Sequence, residues 1–208
     1  MKNIDTIVIG LTGQSGSGKT TVCHTFEDEG FDIINADLIA REVTQKGTDC
    51  SKAIYDKFPY FFTDGILDRA KTARYVFNDK DLLEEYSSVI YPFIIERIDS
   101  KINQFKENGS KFILLDAPTL FEAGADKLCD MIVCVIADEA LRAKRIALRD
   151  NIDYDMIKSR FSSQHNDSFY INRSDFVITN NSTYADLVDK SKETARLIKG
   201  NFDGKFSK

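Results

Sequence analysis

Five short apolar stretches rich in β-branched residues recur along the chain, at 6–11, 32–35, 111–116, 131–136 and 176–179, with longer stretches of helical spacing between them. A run of four to six residues without polar alternation marks a strand covered on both faces. Such strands alternating with amphipathic helices predict an α/β fold, a five-stranded parallel sheet flanked by helices. The interval 39–108 breaks this rhythm. It holds no buried-strand pattern and predicts helices around 51–57, 69–77, 81–90 and 92–105, a helical insertion between the second and third strands. Asp79 fits the N-cap of the third of these helices, Pro92 the first turn of the fourth, and Asn108-Gly109 a stop before the third strand. After the fourth strand, Asp138 stands where it can cap a helix through Leu148, and a charged link around 150–155 leads into another helix ending near His165. The polar segment 200–208 is expected to fray.

Composition narrows this picture. At 208 residues, 42% hydrophobic and 29% charged, the chain can bury one core carrying a small insertion. Its net charge of −5 provides no global positive field to recruit nucleic acid or an anionic membrane, so an anion site must gather its cations locally. Cys23, Cys50, Cys129 and Cys134 lack C-x-x-C spacing, and the two histidines are too few for a zinc pattern. They read as small apolar fillers in a reducing compartment. MKNIDTIVIGL lacks the length and cleavage pattern of a signal peptide, and no run approaches the ~20 apolar residues of a membrane span. The expectation is a cytoplasmic protein without nucleic-acid or membrane partners, a monomer or weak homo-oligomer.

The chemistry begins at GQSGSGKT, where Gly13, Gly18, Lys19 and Thr20 satisfy G-x-x-x-x-G-K-[ST] and Gly16 lies inside. Glycines let the backbone approach an anion, so N–H groups of Gln14, Ser15, Gly16 and Ser17 can cradle phosphates at a helix N-terminus. Lys19 reaches β- and γ-phosphates, Thr20 can ligate Mg²⁺, and Thr21 completes the expected ATP-binding set. A predicted strand before the motif and an amphipathic helix after it, ended by Gly30, distinguish it from a chance Gly/Ser turn. No N-K-x-D signature follows the fourth strand, which argues against guanine specificity.

The second strand ends in INAD, which brings Asp37 to the carboxyl edge of the sheet beside the phosphate loop. Asp37 can take a proton from an acceptor hydroxyl, hold the metal through water, or simply cap the following helix. Arg41, one turn further, is either an acceptor-phosphate ligand or a solvated cation. Arg142, Arg145 and Arg149 at i, i+3 and i+7 share a helical face that can converge on triphosphate oxygens, the rival being a solvated basic stripe. Asp116, ending the third strand, is a better metal candidate than Asp68.

In order and spacing, several blocks resemble the dephospho-coenzyme A kinase family over nearly the whole chain. They are GLTGQSGSGKTTV at 10–22, GFDIINADLIAR ending at Arg41, DGILDR at 64–69, DAPTLFE at 116–122, RIALR at 145–149, Gln164, and DFVITNN at 175–181. The resemblance implies a P-loop kinase that transfers the γ-phosphoryl group of ATP, with Mg²⁺, to the ribose 3′-hydroxyl of dephospho-CoA. It implies a nucleotide core at about 1–38, 109–137 and 166–200, an acceptor-binding insertion at 39–108 and a lid at 138–165. It makes Asp37 the base, with Lys19 and Arg145 completing the catalytic set. Arg149 and Asn180 join the ATP side, where Asn180 could equally cap the last helix. Arg41, Asp68, Arg69, Tyr91, Pro118 and Glu122 fall on the acceptor side, although Pro118 also suits a plain strand exit packed on the core. The chain departs from the usual family pattern at Gln14-Ser15, where a glycine-isoleucine pair is common, at Tyr91, where a histidine precedes the proline, and at Thr119, where a leucine is common. Another nucleoside or nucleotide kinase and an ATP-responsive regulatory protein are the competing readings.

Overall fold

In a computed structural model that describes residues 6–76, 79–162 and 164–205, the first strand β1 (Ile7–Gly13) runs up the middle of a sheet and ends in the glycine motif. Helix α1 (Lys19–Asp28) follows, then β2 (Asp32–Asn35) and α2 (Ala36–Val43). The interval to the next core strand contains α3 (Asp49–Lys57), a small hairpin of β3 (Phe62–Thr63) and β4 (Ile66–Leu67), α4 (Arg69–Val76) and α5 (Lys80–Glu107). Strands β5 (Phe112–Asp116) and β6 (Met131–Ile136) return to the sheet. Helices α6 (Glu139–Asp150), α7 (Tyr154–Ser162) and α8 (Asp167–Ile171) precede the last strand β7 (Phe176–Thr179), and α9 (Tyr184–Lys205) closes the order. The five core strands are parallel, as the apolar runs predict, and lie in the order β2-β5-β1-β6-β7. Because β1 is flanked on both sides, the loop at its carboxyl end sits in the middle of the sheet edge, where open α/β sheets bind ligands.

Each sheet face buries its own cluster. Ile9, Leu11, Val133, Val135 and Ile178 meet Val22 and Phe26 of α1 and Ala195 and Ile198 of α9 on one side. Val8, Ile34, Ile113 and Leu115 meet Ile39 of α2 and Ile94, Ile98 and Ile102 of α5 on the other. The insertion has a third cluster, in which Cys50, Ile54, Phe58, Phe61, Leu67 and Val76 are buried. It packs on the first half of α5 through Leu82, Leu83, Tyr86 and Phe93, so α5 joins the insertion to the sheet.

Several expectations change. The helices predicted at 81–90 and 92–105 are one 28-residue helix with Pro92 inside it. Pro92 cannot donate to the turn before it, a loss on the order of 3 kcal/mol. Continuing the helix buries Ile94, Ile98 and Ile102, each contributing roughly 1.5–3 kcal/mol, so burial wins. Asp79 does cap this helix, accepting from Leu82 N at 3.0 Å. Asp138 stands at the N-cap of α6 as expected, but its side chain makes no capping bond; the carboxylate accepts from Asn181 Nδ2 at 2.7 Å and ties the strand exits of β6 and β7 together. The segment expected to fray stays helical through Lys205, while 206–208 lie outside the described residues, as does Phe77 at the end of the predicted helix 69–77. No described helix is long and apolar enough to cross a membrane.

Candidate active site

The phosphate loop takes its shape from glycines that no other residue could replace. Gly13 has φ 149° and Gly18 φ 105°, and a Cβ on Gly18 would collide with the side chain of Asn180. That close approach lets Asn180 Nδ2 donate to Ser17 O at 2.7 Å, while Asn180 N donates to Ile136 O at 2.9 Å. Asn180 is therefore a buried brace under the loop, and the N-terminus of α9 is served by Thr183, whose Oγ1 accepts from Asp186 N. Ser17 is buried with the loop, and Thr21 uses its N–H on Gly18 O at 3.0 Å.

A cleft of about 490 Å³ opens above this loop. Gly13, Gln14, Ser15, Gly16, Gly18, Lys19 and Thr20 line its floor, Asp37 and Pro118 one side, and Arg145, Arg149 and Gln164 the other. Lys19, Arg145 and Arg149 line it together with the Asp37 carboxylate, so a chain of net negative charge gathers cations locally at the loop. Lys19 Nζ pairs with Asp116 Oδ1 at the end of β5, and Asp116 Oδ2 accepts from Asn35 Nδ2 at 3.2 Å. An ammonium has three donors, so this pair fixes the direction of Lys19 and leaves two for phosphate oxygens.

Asn35, not Asp37, caps α2, its Oδ1 accepting from Leu38 N at 2.9 Å. This removes the plain capping role for Asp37, whose exposed side chain lines the cleft. On the opposite wall Arg145 donates through Nη1 to Gly16 O at 3.3 Å and through Nη2 to Asn180 O at 3.0 Å. Arg149 binds Asp150, which also takes Arg160 of α7 at 2.6 Å. Hydrogen bonds from Arg149 and then Arg160 hold the Asp150 carboxyl well below the usual carboxylate range.

Arg142 corrects the expectation of three converging arginines. It is 4% exposed, donates Nε to Ala137 O and lies over the Phe161 ring at 4.4 Å, so only Arg145 and Arg149 reach the cleft. The residues that the resemblance places on the acceptor side are spread more widely. Arg69 binds the Arg41 carbonyl at 3.0 Å and Thr44 Oγ1 at 2.6 Å, joining α4 to the C-terminal end of α2. Asp68 caps α4, accepting from Lys71 N, and borders a second hollow with Lys71, Arg74 and Tyr75. Tyr91 packs half-buried against the sheet cluster, and Glu122 Oε1 lies 3.6 Å from His165 Nε2. Sequence reasoning gave no role to Asn35 or His165 and only a family match to Gln164. Asn35 carries a local cap signal, three residues before Leu38, which sequence reasoning gave to Asp37 instead; its bond to Asp116 and the bonds of Gln164 and His165 are tertiary, each to a partner at least 43 residues away.

All four cysteines are free thiols. Burial pushes Cys23 up to about 12, with the Asp116 charge adding to it, Cys50 to about 11 and Cys129 to about 12, as suits apolar fillers.

A parallel sheet with a glycine-rich anion loop after its central strand, a lysine aimed along it, a carboxylate across the cleft and arginines overhead defines a P-loop kinase. The model of one such family, CoaE, dephospho-CoA kinase, matches residues 7–186. The chain belongs to the dephospho-CoA kinase family. It is 36% identical over 190 residues to the dephospho-CoA kinase of Photobacterium profundum, covering 90% of this chain and 94% of that one. The dephospho-CoA kinase of Fusobacterium nucleatum is 36% identical over 195 residues, 92% of this chain and 98% of its own. A solved structure described as dephospho-CoA kinase from Campylobacter jejuni shares the fold, with a TM-score of 0.68 at 24% identity over 93% of this chain and 98% of that one.

Proposed function

We propose that this chain phosphorylates dephospho-CoA with ATP in the cleft between the phosphate loop, the start of α2 and the α6–α7 lid, as its family's part in coenzyme A biosynthesis. The observation that carries the reading is the meeting of Lys19, Asp37 and Arg145 around one loop of phosphate-binding form. In this reading the loop amides bind the triphosphate, Lys19 and the arginines stabilise charge on the transferring group, and Asp37 accepts the proton of the ribose 3′-hydroxyl. The insertion holds the acceptor, with Arg41, one turn beyond Asp37 on α2, and Arg69, tied to the end of that helix, offering cations to an acceptor phosphate. Residues 138–165 form a lid that excludes water, which favours transfer to the alcohol over hydrolysis.

Mg²⁺ fits the donors present. Thr20 lines the cleft beside Lys19, and the carboxylates of Asp37 and Asp116 stand near the loop, all hard oxygen ligands. Thr20 would ligate the ion directly, with Asp116 or Asp37 behind it, and the ion would neutralise charge on the phosphate oxygens.

Asp37→Asn tests the catalytic part. Because Asn35 makes the helix cap, this change leaves α2 intact. ATP affinity by calorimetry should hold while coenzyme A formation falls roughly 10² to 10⁴-fold, the range of general-base catalysis. Turnover within about threefold of the unaltered chain would remove Asp37 from the mechanism.

A further inference from the structure

Two consecutive residues at the exit of the lid grip two consecutive residues of the phosphate loop. Gln14 Nε2 donates to His165 O at 2.9 Å, and Ser15 N donates to Gln164 Oε1 at 3.3 Å. Gln164 and His165 form part of the joint between α7 and α8. Gln164 N bonds Phe161 O at the end of α7, and Asn166 caps α8 by accepting from Phe169 N at 3.0 Å. The joint is also seated against the core. The His165 ring stacks on Phe169 with centroids 3.6 Å apart, and its Nε2 faces Glu122, four residues after Pro118 of the cleft wall.

These bonds act on the most rotatable part of the loop. The peptide between Gln14 and Ser15 lies between Gly13 at φ 149° and Gly16 at φ 78°, both in conformations that glycine leaves easily. Its carbonyl accepts from Ser17 N at 3.1 Å, and its N–H goes to Gln164, so the peptide plane is held from both sides. Arg145 of α6 holds the next carbonyl but one, Gly16 O, from the entrance of the lid. The loop tip is thus bound to both ends of the lid segment. Gln164 also lines the cleft that Asp37 and Lys19 line.

We propose that Gln164 is a positioning residue for phosphoryl transfer, forming with His165 a clasp on Gln14 and Ser15 that sets the phosphate-loop peptide according to the position of the lid. The clasp rests on the kinase reading given above. It orients donors that the transition state uses and makes no bond to a reacting atom itself. Its loss is felt in kcat more than in ATP affinity, because loop amides remain able to bind phosphate while losing their alignment.

The test uses Gln164→Ala, Gln164→Met, Gln14→Ala and the Gln14→Ala/Gln164→Ala double variant of the full chain. Gln164→Met retains the side-chain stem and removes the acceptor, which guards against a folding defect. Each single variant should lose about tenfold in kcat, with the ATP dissociation constant changed by less than about threefold and the melting temperature unchanged. The double variant should be no worse than the more damaging single, because both changes break one device. Independently of activity, amide exchange at Ser15 should quicken in both Gln164 variants. Unchanged exchange at Ser15, kcat within about twofold of the parent, multiplicative losses in the double variant, or losses that follow a falling melting temperature would each overturn the clasp. Coenzyme A formation by the parent, measured alongside, separates the two readings: its absence ends the kinase reading, while the exchange at Ser15 still decides the clasp.

Discussion

Arg142 and Arg145 lie one turn apart on α6 and have opposite surroundings. The first is enclosed between the end of β6 and the Phe161 ring, where burial works against its charge and Asp167 and Glu139 partly support it. The second stands in the cleft with its guanidinium on the loop carbonyl of Gly16 and on Asn180. Arg142→Ala should therefore cost about 1–3 kcal/mol of stability, since it removes a stacked cation and leaves the Ala137 carbonyl without its donor. Arg145→Ala should lower turnover on the order of a hundredfold with a smaller change in melting temperature. Melting curves and coenzyme A formation on the same preparations check both; the reverse pattern would exchange their roles. Spacing at i, i+3 and i+7 shows that three arginines share a face, and says nothing about an aromatic ring from the next helix covering one of them. Asp37 is the opposite case, since its place at the end of INAD is enough to bring it to the cleft, and the structure adds only that its neighbour Asn35 does the capping.

At the scale of elements, local signals were read well where the signal is local. Asp79 caps α5, and the core strands fall within two residues of the apolar runs, because both follow from a few adjacent side chains. Pro92 misled because its local cost is outweighed by apolar partners on β1, β2 and β5. Asp138 misled because Asn181, 43 residues away, offers its carboxylate a donor. The segment proposed as the lid has a joint of its own, with Arg149 and Arg160 sharing Asp150 between α6 and α7. The folded Asp150 carboxyl is depressed below its unfolded value of about 3.9. Its contribution is therefore complete above that value, stays constant from pH 5 to 8, and is lost only as the pH falls further toward the folded pKa. Asp150→Asn should quicken amide exchange in α7 and the last turn of α6 across pH 5 to 8, leaving the sheet as protected as before. Equal protection of α7 in both proteins would mean that the joint does not hold the lid.

For the molecule as a whole, the arrangement follows from the position of β1. A central parallel strand ending in glycines sets the anion loop in the middle of the sheet edge, β2 and β5 bring Asp37 and Asp116 from one side, and the segment after β6 brings the arginines from the other. The five parallel strands, the helical interval between the second and third of them, and the phosphate loop were legible in the sequence because each is a pattern of adjacent residues; the order of the strands in the sheet was not, because it is set by pairing between distant segments. The braces Asn180, Asn35 and Gln164 were not, because each is defined by a bond across 81 to 163 residues. The most direct measurement of the central claim follows ³¹P resonances with ATP·Mg²⁺ and a panel of dephospho-CoA, AMP, adenosine and shikimate, using Lys19→Ala as the control. The account predicts ADP and coenzyme A in equal amounts only with dephospho-CoA, with the new phosphate on the ribose 3′-oxygen, and at least about a hundredfold loss in Lys19→Ala. ADP released at the same rate without dephospho-CoA, stimulation by another acceptor alone, or an unimpaired Lys19→Ala protein would contradict it.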